Sequence, residues 1–498
     1  MIFDTKKPFD GLKHAYRVLA RSSALVLTGL VLISCVNQEG QLSNEPTLAS
    51  SWVRPNDPQE KIGAREHPAV LAKYGGVYEN PAAERMIAVI TGKLVAQSSD
   101  PSRVYKITLL NSPDVNAFAL PGGFLYVTRG LLALANDSSE LAAVIAHEMA
   151  HVTANHAIIR QQKLNSAALG EQVVAEVLNS SSAGKVALAA NKIRLTQFSQ
   201  EQELQADTIG IRMAGKAGYD PFAAARFLET MNSYRKYISN DNSFDDSESF
   251  ASSHPSTPRR IQLATRHARF FGSPGFGDRG QDRYFQGING LLYGNTTAEG
   301  FVRGQRFSHS GLGITFSAPS GFTIDNQPKA VVISGPGDIA TRFDAAVLSK
   351  RSSLKDYLSS GWISGLIEET IKIDNINGLP SATAIARAEG WRFKIRVIRS
   401  GSQVYRFITA APQTNTNLDA VSRQITGSFK VLSKREIAKL KPLQLKIVTV
   451  PNVADPEKSL VKMMSGVSDP TALFRLINGL REGDKPVPGS NIKIVTDS

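Results

Sequence analysis

Along this chain the apolar positions change period several times, and each change predicts an element. Pro81 to Ala96 carries Met86, Ile87, Val89, Ile90 and Leu94 at helical spacing. Val104 to Leu110 alternates as a strand does; Asn116 to Leu120, the turn Pro121-Gly122-Gly123 and Phe124 to Thr128 then read as a hairpin. From Asp137 to Arg160 the period is helical again, with Asp137 as cap and Glu140 three residues on, as in a capping box. Further helices are predicted over Lys185 to Ala217, Pro221 to Tyr237 and Pro258 to His267. Gln161 to Gly184 and Ser239 to Ser253, rich in Ser, Asn and Gly or Asp, read as loops.

Gly, Pro and Asp between Gly272 and Asp282 mark a boundary, after which alternation dominates. Strands are predicted at Ile314 to Ala318, Ala330 to Ser334, Thr341 to Leu348, Trp391 to Ile398 and Val404 to Ala410, with helices at Leu354 to Glu368 and Asn417 to Ser428. A last unit opens near Pro442, with a strand at Leu445 to Val450, a helix at Leu473 to Leu480 and a closing strand at Pro488 to Val495. The fold class is therefore α+β. A mainly helical unit with a small sheet spans 63–295, an α+β domain spans 300–432, and a βααβ unit spans 442–496.

The start of the chain has another character. Lys6, Lys7, Lys13, Arg17 and Arg21 precede an uncharged run from Ser22 to Ser34, which is short for a bilayer span and has the proportions of a secretory signal. Leu32-Ile33-Ser34-Cys35 resembles a bacterial lipobox, which implies cleavage before Cys35 and a lipid on its thiol. Residues 1–34 are then a lipoprotein signal peptide and 35–62 a polar tether. Val36, not Asp, follows the cysteine, which favours the outer membrane, with the chain in the cell envelope facing the periplasm. Cys35 is the single cysteine, so no disulfide framework exists within one chain. A formal charge of +13 suits anionic lipid or wall polymers, and nucleic acid is not an expected partner of an exported chain.

The chemistry concentrates in His147-Glu148-Met149-Ala150-His151. Histidines at i and i+4 project from one helix face and can reach one ion, expected to be a single Zn²⁺. Glu148 lies beside that face, placed to take a proton from an activated water and pass it to a leaving amine. Apolar neighbours surround these polar residues, and a buried imidazole pair without a partner would be costly. A third ligand is required, and Glu203 and Asp207 share a face at i, i+4 on the second helix. One would bind the ion and the other hold a ligand histidine; Glu201, spaced four from Gln205, makes the weaker pair. His156, about 180° from His147 on a straight helix, is expected on the polar face.

Taken together, HExxH on one helix and ExxxD on a later one, over roughly His67 to Tyr293, closely resemble the gluzincin metalloproteases of the HtpX, BepA and LoiP type. That group includes the mitochondrial protease Oma and the CAAX prenyl proteases. The resemblance implies Glu203 as the third zinc ligand and Asp207 behind the ligands, joined there by Arg260 of His254-Pro255…Arg260-Ile261. It makes Asn116, Ala117 and Phe118 the substrate-binding edge strand, and His254 either a fourth, regulatory ligand or an oxyanion stabiliser. The absence of further membrane-length apolar runs sets the chain with the periplasmic branch. Residues from Phe307 onward resemble a PsbP-type fold, and the last unit a lysin motif, which implies peptidoglycan as a partner. The implied function is cleavage of misfolded or stalled envelope proteins. The alternative is a chaperone-like assembly factor or wall-tethered scaffold, its metal site plugged by His254 and residues 161–184.

Overall fold

The computed structural model describes residues 58–162, 198–240, 250–327, 330–349 and 351–497. The signal segment, Cys35, most of the tether, nearly all of Gln161 to Gly184 and the first part of the Lys185 to Ala217 helix lie outside the described residues.

Helices α1 (Pro58–Lys73) and α2 (Pro81–Val95) lead into a small sheet of β1 (Lys106–Leu110), β2 (Ala117–Leu120) and β3 (Phe124–Thr128). Asn80 caps α2 by accepting the Ala83 N–H, and Pro81 in the first turn supplies a preset φ. The expected hairpin is present: β2 and β3 pair antiparallel, turning through Gly122 and Gly123 at φ of 84° and 83°. β1 joins β3 in parallel, giving the order β1-β3-β2, so β2 is an edge.

Then follow α3 (Arg129–Leu134), α4 (Ser138–Thr153), α5 (Gln200–Lys216), α6 (Ala223–Asn240), the short α7 (Phe250–Ser253), α8 (Pro258–Ala268) and α9 (Gln281–Ile288). α4 runs through the middle, buried on every side from Ser138 to Val152, as its near-continuous Ala, Leu, Val and Ile content demands. Ile87 and Leu94 of α2 and Tyr284 and Ile288 of α9 pack in the core it builds. The single long helix expected from Asp137 to Arg160 is interrupted. Asn155 takes φ of 55°, the chain turns, and a separate helical stretch begins at 156. The Ser239 to Ser253 loop is narrower than expected, because α6 and α7 occupy its two ends.

The next domain holds two antiparallel sheets. One, in order β15-β7-β6-β5, uses β5 (Phe301–Arg303), β6 (Arg306–His309), β7 (Ile314–Ser317) and β15 (Lys430–Val431). The other, in order β11-β12-β13-β14-β10-β9-β8, uses β8 (Thr323–Gln327), β9 (Ala330–Gly335), β10 (Ile339–Val347), β11 (Leu366–Ile376), β12 (Leu379–Ala388), β13 (Trp391–Ser400) and β14 (Gln403–Pro412). The helix predicted over Leu354 to Glu368 stops early. α10 covers only Leu354–Leu358, Gly361 and Gly365 take positive φ, and Leu366 starts a strand whose Ile and Thr residues favour extension. α11 (Leu418–Gly427) packs on this domain through Leu418, Val421 and Ile425.

After α12 (Lys434–Ile437), the C-terminal residues form β16 (Leu443–Thr449), α13 (Pro456–Val461), α14 (Pro470–Ile477) and β17 (Asn491–Thr496). β16 pairs antiparallel with β17 and also with β4 (Leu292–Tyr293), so this unit extends a strand of the helical unit. Leu445, Phe474, Ile477 and Val495 fall in the same apolar cluster as α2 and α4. Lys493 is fully buried, its ammonium donating to the carbonyls of Ala133, Leu134 and Ala135 at 2.9, 3.2 and 2.7 Å. Those are the unpaired carbonyls at the end of α3, where a cation is favoured.

Candidate metal centre

α4 presents His147 and His151 one turn apart, and α5 crosses it closely enough to bring Glu203 and Asp207 alongside. Gly210 permits that approach: a Cβ there would lie 3.0 Å from the His147 backbone nitrogen. His254 arrives from the segment after α7, where Phe250 donates its N–H to Val115 O, just ahead of β2. One ligand atom each from His147, His151, Glu203 and His254 lies within 4.8 Å of the other three, and all four residues are buried.

The distances show what this cluster can hold. His151 Nε2 is 3.0 Å from His147 Nε2, and His147 Nε2 is 3.2 Å from His254 Nδ1. His254 Nδ1 lies 2.9 Å from Glu203 Oε1, while Glu203 lies 3.4 Å from both helix histidines. Imidazole nitrogens pointed at one another cannot all carry protons, and without protons they are converging lone pairs in a dry site. A divalent cation among them fits the donor set and removes the conflict. Exposed Glu201 has no place in the group.

Behind the ligands the polar groups are paired. Asp207 Oδ1 lies 3.0 Å from His147 Nδ1, which turns the other nitrogen towards the cluster. Arg260 grips Asp207 with two bonds of 2.8 and 2.7 Å, reaches Glu203 Oε2 at 2.8 Å, and donates to the carbonyls of His254 and Pro255. Burial opposes charge on His147, but Asp207 and Glu203 outweigh it and push its pKa up to about 10. Burial drives His151 down to about 2. Burial opposes ionisation of Glu203 and Asp207 too; His254 and the helix histidines hold Glu203 well below the carboxylate range, and Arg260 and His147 hold Asp207 at about 2. Burial raises Glu148, whose Oε1 has no hydrogen-bond partner among the described residues and lies 3.5 Å from His254 Nε2.

His156 departs from expectation. It is buried, with Nδ1 3.0 Å from His151 Nδ1 and Nε2 3.1 Å from Gln205 Oε1, so it orients His151 as Asp207 orients His147. The straight-helix projection failed because the helix ends at Thr153. Gln205 was hidden for the same reason, since its role needs His156 folded back.

A cavity of about 560 Å³ opens onto the cluster, lined by Glu148, His151, Phe198, His254, Asn116 and Phe118 among others. Of the three expected substrate contacts, Asn116 and Phe118 line it, whereas the Ala117 side chain is buried in the core. Alternation along β2 requires this, and leaves Ala117 only its backbone to offer.

Residues 81–268, which contain every member of this centre, match Peptidase family M48. The "Beta-barrel assembly-enhancing protease" of Escherichia coli (strain K12) is 33% identical over 158 residues, covering 30% of this chain and 32% of that protein. The "Mitochondrial metalloendopeptidase OMA1" of Schizosaccharomyces pombe is 29% identical, covering 35% and 50%. These matches support a metalloprotease hydrolase. The chain spans about a third of the length of the bacterial relatives it matches. Among solved structures, the cyanobacterial PsbP of Synechocystis aligns at 16% identity and a TM-score of 0.21, over 28% of this chain and 98% of that one. A score so low is no evidence of a shared fold. Among the described residues no helix is long and apolar enough to cross a membrane.

Proposed function

We propose that this chain is a zinc-dependent endopeptidase of the bacterial cell envelope, held at a membrane by lipid on Cys35, that cleaves unfolded or misassembled envelope proteins. The observation that carries the reading is the convergence of His147, His151 and Glu203, with Glu148 beside them, at a cavity walled in part by His151, Glu148 and an edge strand. His147, His151 and Glu203 would hold the Zn²⁺, which when bound would supply Lewis-acid polarisation and make a water acidic enough to ionise near neutral pH. Glu148, buried at the cavity wall, is placed to take a proton from a water and return it to the leaving amine. An extended substrate lies beside β2 through its backbone, so cleavage depends on extension more than on sequence.

His254 belongs to the donor group and is tied down from two sides, by Arg260 on its carbonyl and by Phe250, whose ring stacks on it at 4.6 Å. We read it as a fourth donor that restrains the resting enzyme. Glu148→Gln is expected to keep zinc and fold while lowering turnover of an unfolded protein by about 100- to 10,000-fold. Undiminished cleavage by that variant would refute the assignment. His254→Ala is expected to raise basal cleavage. A fall of about 100- to 1000-fold would instead make His254 an oxyanion stabiliser.

A further inference from the structure

A second cavity, of about 710 Å³, opens where the helical unit, the sheet domain and the C-terminal unit meet. Tyr234 and Tyr237 of α6, Tyr293 of β4, Phe322 just before β8 and Ser468 of the C-terminal unit contribute to its wall. Lys73 and Tyr74, at the end of α1, line both this cavity and the one at the metal centre. Tyr74 stands at the junction. Its hydroxyl accepts from Asn116 Nδ2 at 3.2 Å, and its ring lies 5.3 Å from that of Phe118. Ser112 and Asp114, which lead into β2, also border the second cavity. It therefore lies beyond the Asn116 end of the edge strand.

Resting on the proteolytic reading, we propose that this second cavity is a substrate compartment, taking the part of an extended polypeptide that runs past Asn116 and favouring segments with aromatic or aliphatic side chains. A chain paired along β2 advances about 3.3 Å per residue, so the residues following the paired ones reach Tyr74 and enter the space behind it. Backbone pairing at a strand edge is blind to side chains, whereas tyrosine and phenylalanine rings offer faces to apolar groups. The volume lies within the range of ligand-binding cavities. Tyrosines also suit a saccharide, but the Lys73–Tyr74 wall shared with the metal-centre cavity favours the polypeptide.

Two variants of the full-length, zinc-loaded protein test this. Ser468 is exposed at the cavity wall, so Ser468→Trp fills the space without opening a core; Tyr237→Ala removes a ring from that wall. The readout is the ratio of kcat/KM for a long unfolded casein to kcat/KM for a short quenched peptide that fills only the metal-centre cavity. The expected result is a roughly tenfold fall in that ratio in both variants, carried mainly by KM. An unchanged ratio overturns the proposal, whether both activities persist or fall together. So does competition by a soluble chitooligosaccharide that slows casein cleavage alone, because the compartment would then be a glycan site. If the wild type cleaves neither substrate, the proteolytic reading fails by itself. Casein binding by wild type and Ser468→Trp, compared by fluorescence anisotropy, then still decides the cavity: weaker binding to the variant supports it and equal binding overturns it.

Discussion

At the level of single residues, the centre is held by partners one step behind the ligands. Arg260 is buried, binds Asp207 through two hydrogen bonds and touches Glu203, so its loss strands two buried carboxylates. Arg260→Ala is expected to destabilise the fold by about 3–5 kcal/mol, and Arg260→Lys to recover only part, because an ammonium cannot make the paired contact. Denaturant unfolding of the metal-free proteins measures both. The protonation of His147 gives a pH effect of definite sign. With a pKa of about 10, its ring holds a proton at pH 7 to 9 that zinc must expel. Zinc uptake is therefore expected to release a proton, and apparent affinity to strengthen with pH by up to about tenfold per unit until pH approaches about 10. Titration calorimetry in buffers of different ionisation enthalpy would show it. An affinity that weakens over that range would exclude a protonated His147.

At the scale of elements, the decisive contact is the crossing of α4 and α5. A Cβ at Gly210 would crowd backbone atoms of Ala146 and His147, the stretch that carries the first ligand, whereas one at Gly92 in α2 would meet nothing within 4 Å among the described residues. Gly210→Val should push Glu203 and Asp207 away from the histidines and weaken zinc binding by at least about tenfold. Gly92→Ala, at a helical position open to solvent, should stabilise by about 0.4–1 kcal/mol and leave zinc binding alone. Zinc retention against a chelator, set beside the thermal midpoint, separates the two outcomes. If Gly210→Val binds zinc as wild type does, helix spacing does not set the site.

For the whole molecule, the C-terminal residues matter to the peptidase core as well as to any partner of their own. β16 continues onto β4, the apolar cluster is shared, and Lys493 neutralises the carbonyl end of α3 two residues before the cap of α4. That cap, Asp137, accepts the Glu140 N–H and pairs with Arg226 and Arg279. Lys493→Met should leave three buried carbonyls without their donor and cost on the order of 2–4 kcal/mol. Truncation after Lys441 should expose core surface and abolish the cooperative unfolding of the helical unit. Should the truncated chain unfold at the wild-type midpoint, the C-terminal unit is an independent module after all.

What the sequence determined by itself was whatever depends on neighbours along the chain. Helical period placed His147 beside His151 and Glu203 beside Asp207, Asp137 announced its helix, and Pro121-Gly-Gly123 announced the β2–β3 turn. These are consequences of 3.6 and two residues per repeat and of glycine's freedom at positive φ. Tertiary structure decided the rest, because it concerns distances that no repeat encodes. The break at Asn155 turned His156 from a supposed surface residue into the support of His151. The Gly361 and Gly365 turns ended a predicted helix after Leu358 and left its last three residues to start β11. Arg260 could be named from resemblance, but its grip on Asp207 and Glu203 required α8 to lie against α5. The second cavity, which shares Lys73 and Tyr74 with the one at the metal centre, is walled by segments about 400 residues apart. Only packing could bring those together, since a buried polar group or a cavity wall is satisfied by whatever is near in space.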